Sequence, residues 1–409
     1  METIAEIDVQ TSLSISRRAK EMQGSPIRKL ASTAEVRKKQ GIRVYHLNIG
    51  QPDLPTSPAV FEAIRKFDQK TIAYAPSNGL SPALSGWKAY YHHVGVDFEE
   101  KEMIVTTGGS EAIVMAMIAV CDAGEEIIVF EPFYTNYNGF ASIANVKLRA
   151  VPLSIHNGFH LPPTKEIEPY ITTKTKAFII NSPSNPTGAV YTREEMLRIV
   201  DLAKRHNLFV ISDEVYREFA YESKAVGITE FAQLRNQAIV VDSCSKRFNV
   251  CGARIGVIAS HNTDVIASAL KIGQARLSVA TIEQIAVAPL LNDPLPYTRP
   301  IVEEFRKRRD VVYEELKRIP DITYYKPEGA FYIVIDLPVK DAEVFSKWMI
   351  EEFEFKRETV LVAPGQGFYA TSGKGINEVR LAFMLSVEDL RQSLSILGVA
   401  LKEYKSKGM

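Results

Sequence analysis

Between about Lys101 and Ser260, short apolar runs of strand length alternate with stretches of helical pattern. The runs at 103–106, 126–130, 177–180, 208–211, 238–241 and 255–259 are apolar apart from Thr106 and Glu126 at their ends, with no alternation of apolar and polar positions. Such runs suit strands covered on both faces, so the spacing predicts an α/β body around a mostly parallel sheet. Polar and turn-forming residues follow the runs: Gly108-Gly109-Ser110 before a helix over 110–120, then Glu131-Pro132, Asn181-Ser182-Pro183, Asp213, and the segment from Ser243 to Lys246. Ligands of open α/β sheets bind at the carboxyl ends of strands, and five candidate loops or residues fall there.

Near Ile301 the pattern changes. Residues 302–319 read as a long charged helix, with Glu303/Lys307 and Glu304/Arg308 spaced to pair on one face. Strands over 330–335 and 379–383, a helix through Trp348 and a terminal helix complete a smaller α+β lobe. Upstream, the first 44 residues read as a polar arm and a helix containing Ala34-Glu35-Val36-Arg37. The expected division is 1–44 for arm and helix, 45–300 for the large domain (its first part contributing to the small lobe) and 301–409 for the small domain. No repeat, low-complexity tract or helix-turn-helix pattern is present, which argues against a fused DNA-binding regulator.

Composition narrows the function classes. The 409 residues are 46% hydrophobic and 24% charged, ordinary globular values. Lys+Arg and Asp+Glu both number 49, so nothing marks a nucleic-acid or membrane-surface partner. Cys121, Cys244 and Cys251 form neither a paired framework nor a CxxC motif, and read as free thiols in a reducing compartment. His92 and His93 are adjacent and so share no helix face, and no metal site is expected. Met1 to Glu6 is acidic, no segment has the length of a membrane span, and a cytoplasmic location is the default expectation.

The candidate chemistry centres on Lys246. It lies in Ser243-Cys244-Ser245-Lys246, shortly before Gly252-Ala253-Arg254-Ile255-Gly256. A lysine beside two hydroxyls and near an arginine offers an amine for a Schiff base and donors for a dianionic phosphate. Asn185-Pro186-Thr187-Gly188 and Asp213-Glu214-Val215-Tyr216 precede it, and Arg380 follows inside an apolar strand. In that order the motifs resemble the class I/II aminotransferases, most of all the bacterial aspartate aminotransferases, over the chain from about Tyr45 onward.

The resemblance implies a fold type I enzyme with a seven-stranded, mostly parallel sheet and pyridoxal 5′-phosphate as cofactor. It assigns Lys246 as the Schiff-base lysine and proton carrier, a task that needs the neutral amine. Arg254, Ser243, Ser245, Gly109 and Ser110 are then the phosphate anchors, and Asp213 the partner of the ring nitrogen. Tyr216 and Asn185 face the phenolic oxygen, and Tyr134 stacks on the ring. Arg380, Asn185 and Gly50 take the substrate carboxylate, and Tyr74 reaches the phosphate of a second subunit in a homodimer with shared sites. Each has a plain alternative: a surface lysine, a helix-capping aspartate, a turn sequence, a core tyrosine, a structural ion pair.

Substrate choice is the least legible part. A dicarboxylic amino acid needs a second cation, and Arg276 is the candidate, with a helix-surface arginine as the alternative. Some bacterial relatives carry a lysine at the position of Ser110; this chain does not. Aspartate with 2-oxoglutarate is the leading expectation. An alanine, aromatic or broad specificity, or a β-lyase or aminocyclopropanecarboxylate synthase reaction on the same cofactor, stays open.

Overall fold

The computed structural model describes residues 13–24 and 26–408; the acidic stretch Met1–Glu6 lies outside them. In chain order the strands are β1 (Arg43–His46), β2 (Met103–Thr107), β3 (Glu126–Glu131), β4 (Lys147–Pro152), β5 (Thr175–Asn181), β6 (Phe209–Asp213), β7 (Ala238–Ser243) and β8 (Ile255–Ala259). There follow β9 (Thr323–Tyr324), β10 (Tyr332–Asp336), β11 (Glu358–Leu361), β12 (Ala363–Pro364) and β13 (Glu378–Ala382).

Seven strands form the large sheet in the order β2-β8-β7-β6-β5-β3-β4. All neighbours are parallel except that β8 runs antiparallel to both β2 and β7. Both faces are buried, as continuous apolar runs require: Ile128 and Phe130 of β3 join one core, Ile127 and Val129 the other. Each such fully buried side chain contributes about 1.5–3 kcal/mol, so the sheet is a rigid platform for the loops at its ends.

The seventh strand, β4, has no run of its own in the sequence analysis. Lys147, Leu148, Arg149 and Ala150 are exposed or half-buried at the sheet edge, and edge strands tolerate polar residues that central strands exclude.

The smaller lobe holds a four-stranded antiparallel sheet, β12-β13-β10-β9, and a parallel pair, β1-β11. Pairing of Arg43–His46 with Glu358–Leu361 ties the early chain to this lobe. The change of pattern near Ile301 falls inside one continuous helix, Leu295–Leu316. Its Tyr297 packs on the large core, whereas Phe305, Val312 and Leu316 belong to the small one. Of the two pairs expected on that helix, Arg308 Nε meets Glu304 Oε1 at 3.0 Å. Among the described residues no helix is long and apolar enough to cross a membrane.

Candidate active site

Lys246 is placed by a single turn of helix. Where β7 ends, the Ser243 hydroxyl accepts the Ser245 backbone N–H at 3.1 Å and caps the turn Cys244–Arg247. The Lys246 amine donates to the Gly50 carbonyl at 2.9 Å, lies 3.8 Å from Cys251 Sγ and sits 5.8 Å from the centre of the Phe331 ring. Phe331 and Cys251 were not expected here; neither carries a motif of its own.

The glycine-rich turn sits beside Arg254. Gly108 has φ +73°, and a Cβ there would lie 2.5 Å from Arg254 Nη2. Gly256 lets β8 run beneath the same turn, since its Cβ would stand 2.8 Å from Gly109 N. The helix Gly108–Val120 therefore starts with its free N–H groups and positive dipole end next to a guanidinium. Arg254 is exposed and has no acidic partner among the described residues; its recorded hydrogen bond is to the Cys251 carbonyl at 3.2 Å. Ser110 is half-buried in the first turn of that helix.

Ser243, expected among the phosphate anchors, lies at the start of the same turn. It is buried, and its hydroxyl reaches Ser245 Oγ at 2.7 Å and the Ile255 carbonyl at 3.1 Å in addition to its capping bond. A hydroxyl carries one proton, so these two acceptors are alternatives for Ser243, and the Ser245 hydroxyl lies directly beside it.

Asp213, at the end of β6, is 4% exposed. The Tyr137 hydroxyl donates to its Oδ2 at 2.7 Å, and Asn181 Nδ2 donates to its carbonyl at 3.0 Å. Burial pushes its carboxyl up to about 6, against the lowering pull of the Tyr137 bond. Among the described residues this carboxyl pairs with no cation, and its ionised form would gain by meeting one. Tyr137 also holds the ring of Tyr134 edge-on, with centroids 5.5 Å apart, and burial pushes the Tyr134 hydroxyl up to about 12.

Hydrogen bonds continue to the substrate side. Asn181 Oδ1 accepts the Asn185 N–H at 2.7 Å, and Asn185 Oδ1 accepts Arg380 Nη1 at 3.0 Å. Arg380 is 2% exposed, also donates to the Asn48 carbonyl, and leaves Nε without a partner. Its guanidinium lies 4.4 Å from the Tyr332 ring centre and 5.0 Å from that of Phe368. No carboxylate pairs with it among the described residues, and burial lowers its pKa against the weaker raising pull of Tyr332, Tyr216 and Tyr134. A buried cation with aromatic faces and no anion is a site lacking its charge partner.

Tyr332 is the main residue that sequence reasoning missed. Its hydroxyl is 3.0 Å from that of Tyr216, which burial keeps protonated far above the ordinary tyrosine range. A Cβ on Gly50 would come within 1.9 Å of Tyr332 Oη, so Gly50 is needed for that approach as well as for its carbonyl. Strand alternation does put Tyr332 and Val334 on one face, but only the register of β10 against β13 (Val334 opposite Arg380) brings that face to the arginine.

Two expected residues have other surroundings within the protomer. Arg276 pairs with Glu111 at 3.2 Å and donates to the Ser77 carbonyl at 2.9 Å, so a carboxylate already occupies it. Tyr74 is 82% exposed.

These residues fit pyridoxal 5′-phosphate. They comprise an amine, a glycine cradle with an arginine unpaired among the described residues, a buried carboxyl suited to a ring cation, and a buried guanidinium awaiting a carboxylate.

Known proteins agree with the geometry. The chain is 31% identical to the aspartate aminotransferase of Thermotoga maritima, covering 93% of this chain and 97% of that one. It is 30% identical to a probable aspartate/prephenate aminotransferase of Aquifex aeolicus, covering 95% and 99%. Among solved structures, Thermus thermophilus aspartate aminotransferase with maleate superimposes with a TM-score of 0.86 at 29% identity, over 95% of this chain and all of that one. An alanine aminotransferase from Pyrococcus furiosus gives 0.86 at 27% identity with the same coverage. The family model for aminotransferase class I and II matches residues 42–397, and with the fold and site described above this places the chain in that family.

Proposed function

We propose that this aminotransferase moves the amino group of L-aspartate to 2-oxoglutarate by a ping-pong reaction, with pyridoxal 5′-phosphate held on Lys246. The cofactor, when bound, supplies an electron sink for the charge left at the substrate Cα. Arg254, Ser245 and the N-terminus of the helix Gly108–Val120 hold the phosphate, with the Gly108-Gly109-Ser110 turn giving close backbone approach. Asp213 keeps the ring nitrogen protonated, Tyr216 and Asn185 donate to the phenolic oxygen, and Tyr134 covers the ring. Arg380 orients the substrate α-carboxylate, and the Lys246 amine, once released, moves the proton at Cα.

The unpaired, buried Arg380 carries this reading, because an α-amino acid provides the anion that the site lacks. Relatives named for aspartate support the choice of donor. The Arg276–Glu111 pair favours a second reading, an alanine or broad specificity, since it leaves that arginine engaged within the protomer. A panel of amino acids against 2-oxoglutarate, pyruvate and oxaloacetate decides between them. Aspartate with 2-oxoglutarate should show the highest kcat/KM; preference for alanine, or release of ammonia in place of exchange, would sink the aspartate assignment.

Arg380→Leu should lower kcat/KM roughly 10²-fold, about 3 kcal/mol for a lost charge-assisted bidentate contact, with the bound-cofactor absorbance retained. Loss of cofactor with unchanged kcat/KM per bound site would move the carboxylate elsewhere.

A homodimer is part of the proposal. Exposed Tyr74, Ile72 and Leu277 lie on neighbouring segments, joined by the Thr281–Ala73 and Arg276–Ser77 contacts. Through this surface Tyr74 would reach a partner's phosphate. Sedimentation of the holoenzyme as a monomer at micromolar concentration would rule this out.

A further inference from the structure

Resting on the reading of Lys246 and Tyr216 above, we infer that Tyr332 is a positioning residue that sets the strength of the Tyr216 hydroxyl as a donor to the cofactor. The two hydroxyls are 3.0 Å apart and buried, with Tyr216 5% and Tyr332 2% exposed. Water therefore does not substitute for either partner. If the Tyr216 proton is committed to the phenolic oxygen, the remaining proton of the pair is that of Tyr332, which must then donate to Tyr216. A hydroxyl that accepts a hydrogen bond becomes a better donor, and the effect is largest where the dielectric is low.

Tyr332 is well held for this task. Its ring packs edge-to-face on Tyr216 with centroids 5.8 Å apart and lies 4.9 Å from Phe331, while its outer face meets Arg380. Gly50 closes the space beyond its hydroxyl and at the same time accepts from Lys246. The charged or titratable groups facing the hydroxyl pair are Tyr134 and Arg380, and the Lys246 amine reaches the Gly50 carbonyl beside it. Tyr332, like Asn185, thus touches both the arginine side and the phenol-facing side of the site.

The test is a pH titration of the visible absorbance of the holoenzyme, which follows the proton shared between the cofactor's phenolic oxygen and the Lys246 nitrogen. A weaker Tyr216 donor leaves the anionic phenolic oxygen less stabilised and the proton more tightly bound. Tyr332→Phe should therefore raise the midpoint by ~0.5–1 pH unit, the scale of one neutral hydrogen bond. The same change in a Tyr216→Phe background should do nothing further. Replacing Tyr332 with the more acidic 3-fluorotyrosine should move the midpoint downward.

A midpoint unchanged in Tyr332→Phe, or one that shifts equally without the Tyr216 hydroxyl, would overturn the inference. Absence of any pH-dependent visible band in the unaltered holoenzyme would instead overturn the reading of Lys246, so the two failures are distinguishable.

Discussion

Lys246→Ala should reduce amino transfer by on the order of 10⁵-fold or more, the behaviour of a residue that serves as both attachment point and proton carrier. The fold should survive. The amine makes one hydrogen bond at normal distance, to Gly50, and its neighbours Ser243, Cys244 and Arg247 hold the turn without it. The variant should unfold within a few degrees of the parent, and borohydride should no longer fix the cofactor to the chain. Near-normal turnover in this variant, or a peptide map placing the fixed cofactor on another lysine, would remove the basis of the proposed chemistry.

Asp213→Asn should change activity and stability in opposite directions. Turnover should fall roughly 10²–10⁴-fold, the range of a single electrostatic or acid–base contribution. The cofactor-free protein should gain stability near pH 8. In the fold the Asp213 carboxyl is pushed up to about 6 from an ordinary 3.8, chiefly by burial, and at ~1.4 kcal/mol per pH unit that gap is about 3 kcal/mol.

The sign follows from proton binding. Between about 3.8 and 6 the folded chain holds more protons than the unfolded one, so the stability contribution of this group falls as pH rises and is fully unfavourable above 6. Asparagine keeps an acceptor for Tyr137 and removes the charge. Thermal midpoints of both apoproteins at pH 4.5 and 8 check this: the difference should favour the variant and widen with pH. A parallel pH response in the two proteins, or full activity in the variant, would contradict the role given to the carboxylate.

Legibility varied with how local each signal was. Six strands of the large sheet show as apolar runs because both faces of each are buried, and their ends carry the turn, Asp213, Asn181 and Ser243. β4 has no such run because an edge strand need not be apolar on both sides. β11 and β12 escaped for a related reason: at four and two residues they are too short to show a period.

The linear chain by itself settled the class of sheet and the order of the loops at its strand ends, and it singled out Lys246, Arg254, Arg380 and Asp213 as candidates. Those signals reside in runs of a few residues, where side-chain chemistry and backbone preference act together. Tertiary structure alone decided which distant groups meet: Arg380 with Asn48, 332 positions apart, Arg276 with Glu111, and Tyr332 with Tyr216. Such contacts depend on strand register and on how two cores dock. Both are set by burial summed over many residues, so no short stretch of sequence records them.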